Sequence, residues 1–280
     1  MEKISNITIL GEWQERAKQV TKISSHSVSV VQVKTIEVCP WPNRDCSICD
    51  NRDVTDKGVL TRYITNECKA ARMRESLLAK SGLEGVDIRQ TFSSAMVDKY
   101  TRRLYQYLQH EWDRKQWIYI YSPKDIQSIN PTGNGTGKSY TANAIANMLI
   151  DEGIPVLVSR EIDMASQIQD TFGDKTGETE YALMGKYKAI QVLIIQDFGK
   201  QGCKTEWWPM KLYDIIDKRV ISNKTTIFTS NHDITNLRVM EDRFGDNHGP
   251  AIRSRMVGKC GSHQNIWRLE GPDRRLQTGG

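Results

Sequence analysis

Chemistry is concentrated in one stretch of this chain, Asn130-Pro-Thr-Gly-Asn-Gly-Thr-Gly-Lys-Ser-Tyr140. Gly133, Gly135 and Gly137 leave a loop with almost no side chains, so backbone N–H groups can close around a polyphosphate. Lys138 supplies a point charge for β- and γ-phosphates, and Ser139 offers a hydroxyl to Mg²⁺. Together with Asn134, Thr136 and Tyr140 these residues form the expected nucleotide-binding set. Ala142, Ile145, Ala146 and Leu149 then recur at helical spacing, and Gly153 is placed to end the helix. The loop therefore feeds a helix N-terminus, where free donors and partial positive charge favour an anion. One position departs from the usual pattern: Thr132 stands where a first glycine is expected, six residues before the lysine.

A nucleotide hydrolase needs three more groups. An acid belongs near Mg²⁺ at the end of a buried strand, and Val192-Leu-Ile-Ile-Gln-Asp197 supplies Asp197, preceded by the neutral Gln196. Ser139 and Asp197 are the expected magnesium ligands. A polar group must orient water, and Thr229-Ser-Asn231 places an amide at the end of the next strand. Transition-state charge calls for an arginine, and Ala251-Ile-Arg-Ser-Arg255 offers Arg253 and Arg255. Two residues apart on a helix, they face different directions, and Arg255 is the preferred one.

A second constellation lies upstream. Four of six cysteines, Cys39, Cys46, Cys49 and Cys68, follow the spacing C-x6-C-x2-C-x18-C. The short knuckle turns two thiolates toward one ion, and two distant cysteines can complete a tetrahedral Zn²⁺ site, with His26 a substitute ligand. Four unligated thiols are the alternative. Cys203 and Cys260 are isolated and read as packing residues.

Composition sets the frame. At 38% hydrophobic and 26% charged residues the chain is a globular rather than a disordered protein. It holds no apolar run of membrane-spanning length, and Met1-Glu-Lys-Ile-Ser lacks a signal-peptide core, so the cytoplasm is the expected location. The net charge of +5 permits contact with nucleic acid without requiring it.

The elements that would position these groups alternate. Leu10 to Val20 reads as a helix and Ser27 to Lys34 as a strand; Ala70 onward and Ser94 to Trp117 read as helical, separated by the break Ser81-Gly-Leu-Glu-Gly. Strands are expected at 118–121, 154–159, 192–195, 225–230 and 265–269, with helices through Met164 and Ile168 and through Leu212 to Val220. Residues 122–131 intervene between the first of these strands and the phosphate loop, as a strand extension or a rim insertion. The result is an α/β domain with a parallel sheet covered on both faces.

Gly135-Thr-Gly-Lys-Ser139, Leu193-Ile-Ile-Gln-Asp-Phe-Gly199, Glu206-Trp, Leu212-Tyr-Asp-Ile-Ile-Asp-Lys-Arg219, Ile227-Phe-Thr-Ser-Asn231 and Ile252-Arg-Ser-Arg255 resemble the AAA+ ATPases of bacterial and phage helicase loaders, the DnaC and DnaI group. That resemblance implies a sheet of order 5-1-4-3-2 without a C-terminal lid, Asn231 as sensor 1 and an arginine finger within Arg253 to Arg255. It also implies a helicase-docking zinc domain, taken here as residues 1–80, ahead of an ATPase domain at 81–280. The expected activity is ATP-dependent loading of a hexameric replicative helicase of the DnaB type onto single-stranded DNA, with self-association through the ATP sites. Two other readings stay open: an IstB-like helper of a transposase, and a nucleotide-binding adaptor without turnover. Relatives of this kind usually place two acids where Gln196 and Asp197 stand, so slow hydrolysis is expected, with Gln196→Asp raising it.

Overall fold

The structure, a computed structural model, describes residues 53–56, 59–62, 66–173, 177–201 and 206–276. The helix and strand expected within 10–34, and Cys39, Cys46 and Cys49, lie outside these residues, as does His26. Contacts divide the chain into Met1–Ile64 and Thr65–Gly280. In the first unit β1 (Asp53–Asp56) and β2 (Val59–Arg62) form an antiparallel hairpin, Asp53 opposite Arg62.

The second unit is built on five parallel strands: β3 (Ile118–Tyr121), β4 (Val156–Arg160), β5 (Val192–Phe198), β6 (Thr225–Ser230) and β7 (Ile266–Arg268). Their spatial order is β4-β5-β6-β3-β7, which is the expected 5-1-4-3-2 read from the other edge. Every residue of β3 and β6 is buried, as central strands covered on both faces must be. The pleat sorts side chains into two layers. Ile118, Ile120, Val192, Ile194 and Ile227 face one core; Tyr119, Tyr121, Leu193, Ile195 and Phe228 face the other.

The first core is covered by α3 (Lys138–Asp151), with Ala142, Ile145, Ala146 and Leu149 inward. Against it also packs α1 (Asn66–Ala79), through Leu77 and Leu78, with Arg74 paired to Asp151 at 2.5 Å. The Ser81 to Gly85 break is a turn against β4: Ser81 is buried and its carbonyl accepts from Val158 N–H at 2.7 Å. The contact division thus falls at Ile64, ahead of α1. The helix expected over 94–117 is short, α2 (Arg102–Gln106) running into a π turn at Tyr107–Glu111. Asp98 stops it earlier, its Oδ1 accepting from the N–H groups of Tyr100 and Thr101 in a competing Asx turn.

The second core is covered by α4 (Glu161–Asp170), α5 (Glu180–Ala189), α6 (Trp207–Ile221) and α7 (Leu237–Lys259), which is kinked at Gly245. Helix α5 and the full length of α7 are not among the elements expected from the sequence. Arg219, inside α6, is wholly buried and ties these elements together. Its guanidinium donates to the carbonyls of Tyr187 (2.8 Å) and Ile190 (2.9 Å) at the end of α5, and to Thr226 Oγ1 (2.9 Å) on β6. Among the described residues no helix is long and apolar enough to cross a membrane.

Candidate functional site

The phosphate loop lies between β3 and α3, on the edge of the sheet where the parallel strands end. Residues 122–131 form a rim loop rather than a longer strand, tied to β7 by Arg268 and Asp125 at 2.9 Å. Gly133 and Gly135 have φ of 65° and 66°, where a side chain is strained. Space excludes one as well: a Cβ on Gly133 would lie 2.3 Å from the Ser122 carbonyl oxygen, and one on Gly135 would meet the Asp273 carboxylate.

Lys138 opens α3 and is buried. Its Nζ folds back on the Gly133 carbonyl at 2.7 Å and on Thr136 Oγ1 at 3.4 Å. Burial pushes the ammonium down to about 8, while the Asp197 carboxylate is the largest influence holding it up. A buried cation with only neutral oxygens in contact, at a helix N-terminus among free amides, fits a polyphosphate. Ser139 sits one position on, half-buried. Tyr140 points away from the loop, its hydroxyl donating to the Thr91 carbonyl at 2.9 Å.

The end of β5 departs from regular geometry. Its pairing with β6 shifts register between Ile195 and Phe198, and Asp197 has φ of 57° in the left-handed region. Regular alternation would send Gln196 and Asp197 to opposite faces; the bulge re-aims Asp197. Its N–H donates to Thr229 Oγ1 at 3.2 Å, and its carboxylate pairs with Lys200 at 2.8 Å. Gln196 turns toward α3 and donates to Asn143 Oδ1 at 2.7 Å; Asn143 in turn donates to Gln90 at 3.0 Å. Asn231 reaches the phosphate loop, its Nδ2 donating to Asn134 Oδ1 at 3.1 Å.

The two arginines of α7 are engaged elsewhere. Arg253 donates to the Thr235 carbonyl at 2.8 Å, and Arg255 donates to Asp217 at 2.5 Å and to Tyr213 OH at 2.6 Å, over whose ring it lies. The fold therefore gathers the loop, Lys138, Asp197 and Asn231 at one sheet edge, while Arg253 and Arg255 bond within α6, α7 and the turn before α7. Among the described residues no cluster of His, Cys, Asp or Glu could hold a metal by itself. Cys68 falls in α1.

Two titratable groups went unnoticed in the sequence, Glu161 and His232, because nothing local marks them as buried. Burial lifts the Glu161 carboxyl to about 7, against hydrogen bonds from Trp208 and Gly199 that pull it back. Burial pulls His232 down to about 4, with Arg243 adding to the effect. The signs oppose. Glu161 holds its proton longer when folded, so its contribution to stability falls as pH rises from about 4.5 to 7. His232 refuses a proton that the unfolded chain accepts, so its contribution rises from about 4 to 6.5. Glu161→Gln should therefore gain thermal stability relative to the parent as pH is raised from 5 to 7. His232→Phe should gain as pH is lowered across the same range. Melting curves at several pH values test this, and a pH-independent offset in both variants would contradict it.

The family model for IstB-like ATP-binding proteins matches residues 116–278. A replicative helicase loader DnaC of Buchnera aphidicola subsp. Baizongia pistaciae is 28% identical over 183 residues, covering 63% of this chain and 69% of that protein. The replicative helicase loader DnaC of Escherichia coli K12 is 28% identical over 166 residues, covering 55% of this chain and 63% of its own. A crystal structure of DnaI superposes with a TM-score of 0.52 at 19% identity, covering 70% of this chain and 95% of that one. Domain III of the Thermotoga maritima replication initiation protein DnaA gives 0.50 at 18% identity, over 70% and 72%.

Proposed function

We propose that this chain, which belongs to the family of IstB-like ATP-binding proteins, loads a replicative hexameric helicase onto single-stranded DNA under control of ATP. Its fold is that of the AAA+ P-loop ATPases. The observation that carries the nucleotide half is the meeting of Asn231 with Asn134 of the phosphate loop, across an edge that also holds Lys138 and Asp197. The helicase half rests on relatives named helicase loaders, whose similarity spans roughly two thirds of their own length.

Bound Mg-ATP supplies the scissile phosphoanhydride. The amides of Gly135 to Ser139 take up its phosphates, and Lys138 leaves the Gly133 carbonyl for an oxygen of the β- or γ-phosphate. Ser139 and Asp197 are the residues that would hold magnesium, and Asn231 orients the attacking water. Arg255 is our arginine finger, with Arg253 the alternative. It reaches a neighbouring subunit only by exchanging Asp217 and Tyr213 for phosphate, which ties its release to self-assembly. Cys39, Cys46 and Cys49 are the thiols of the docking segment that would serve as zinc ligands, and the protein works in the cytoplasm.

Purified full-length protein mixed with a DnaB-type helicase should give a complex that withstands gel filtration with ATP. It should also carry near-stoichiometric zinc, and Cys46→Ser should lose both metal and helicase while still binding nucleotide. Absence of any helicase complex, with or without ATP, would remove the loader reading. A second reading, an IstB-like helper of a transposase, is tested by supplying a transposase in place of the helicase, where an ATP-dependent complex would favour it.

A further inference from the structure

Directly behind the turn that carries Asp197 sits a carboxylate with no role in the scheme above. Glu161 is the first residue of α4 and has no exposed surface. One oxygen accepts the indole N–H of Trp208 at 2.7 Å, in the first turn of α6. The other accepts the backbone N–H of Gly199, two residues beyond Asp197. The same short turn is gripped from β6. Ser230 Oγ donates to the Phe198 carbonyl at 2.6 Å, and a Cβ on Gly199 would lie 2.7 Å from the His232 ring. Asp197 itself is held by Thr229 Oγ1 on its N–H and by Lys200, whose N–H donates to its carbonyl at 3.1 Å and whose ammonium pairs with its carboxylate.

An aspartate in left-handed backbone does not hold that conformation by preference; its neighbours must impose it. Packing does not require a carboxylate at position 161 either. Glu161 is fully buried, and a methionine of similar volume would occupy its place without the cost of burying a charge. What an apolar residue would not do is bond Gly199 and Trp208 at once. The charged partners around Glu161 are Asp197 from β5 and Arg243 from α7.

We propose that Glu161 is a positioning residue for Asp197: its buried carboxylate clamps the Gly199 amide to the start of α6 and so fixes the turn that aims the acid at the nucleotide. The proposal rests on hydrolysis at Asp197, and the experiment separates the two.

Phosphate release, affinity for a fluorescent ATP analogue and melting temperature are measured at pH 8 on the full-length parent, Glu161→Met, Glu161→Gln, Trp208→Phe and Asp197→Asn. Glu161→Met should lower kcat about ten-fold while affinity stays within two-fold and the melting temperature equals or exceeds that of the parent. Glu161→Gln keeps one acceptor oxygen and should restore part of kcat. Trp208→Phe keeps the ring but removes one donor, and should lower kcat two- to three-fold. A merely structural role would instead lower the melting temperature and leave kcat of the folded protein unchanged. Parental kcat in Glu161→Met overturns the proposal. If that variant does not fold, parental kcat in Trp208→Phe overturns it. If Asp197→Asn hydrolyses ATP like the parent, it is the reading of the site itself that fails.

Discussion

Asp197→Asn should lower ATP hydrolysis by about 10²–10⁴-fold, the usual span for loss of an acid–base or metal-holding carboxylate. It should leave nucleotide affinity within a few-fold. The structure makes this substitution clean. Asp197 occupies left-handed backbone with φ of 57°, a region asparagine also tolerates, so charge changes without a change of backbone. The N–H bond to Thr229 Oγ1 survives; what is lost is the pair with Lys200 and the charge that supports the Lys138 ammonium. Asp197→Ala would mix loss of charge with backbone strain. Affinity should persist because the loop amides are untouched and the bound phosphates themselves keep Lys138 charged. Gln196→Asp is the companion measurement. Gln196 is bound to Asn143 on α3, so an acid there should raise turnover by less than about ten-fold. Parental hydrolysis in Asp197→Asn would place the acid elsewhere.

Arg219→Ala should destabilise the ATPase unit by about 4 kcal/mol, at the upper end for one substitution. The guanidinium is wholly buried, and its six hydrogen-bond partners are all neutral oxygens: five carbonyls and Thr226 Oγ1. Burial alone pulls its pKa down to about 9. Deleting it strands the carbonyls of Tyr187 and Ile190 at the end of α5 without a donor, each costing about 1–3 kcal/mol, and leaves a cavity besides. The melting temperature should fall by roughly 10 °C for a domain of this size. Arg219→Lys should recover less than half of this, because one ammonium has no fork to bridge α5, α6 and β6. Denaturant unfolding of both variants measures it, and a loss under about 1 kcal/mol would show that water replaces the guanidinium.

Local spacing carries the chemistry of the phosphate loop, and that is why it was legible. Three glycines, a lysine and a serine act through backbone conformation and near neighbours, so their order in the chain is enough. The sheet was legible for a related reason: runs such as Val192 to Ile195 and Thr225 to Ser230 are apolar or β-branched because both faces are covered, and alternation with helices implies parallel strands. The same holds for Asn231, whose place at a strand end determines which sheet edge it joins. Where a side chain depends on distant residues, spacing is silent. The bulge that turns Asp197 comes from a register shift against β6 and leaves no mark in Gln-Asp-Phe. Asn143 captures Gln196 only once α3 lies on β5. Asp217 and Tyr213 hold Arg255 only because α7 packs on α6. Glu161 and Arg219 carry no local mark of burial in the sequence, since charge usually means exposure. Their burial is decided by the helices that close over them, and desolvation together with neutral hydrogen-bond partners then gives each its role.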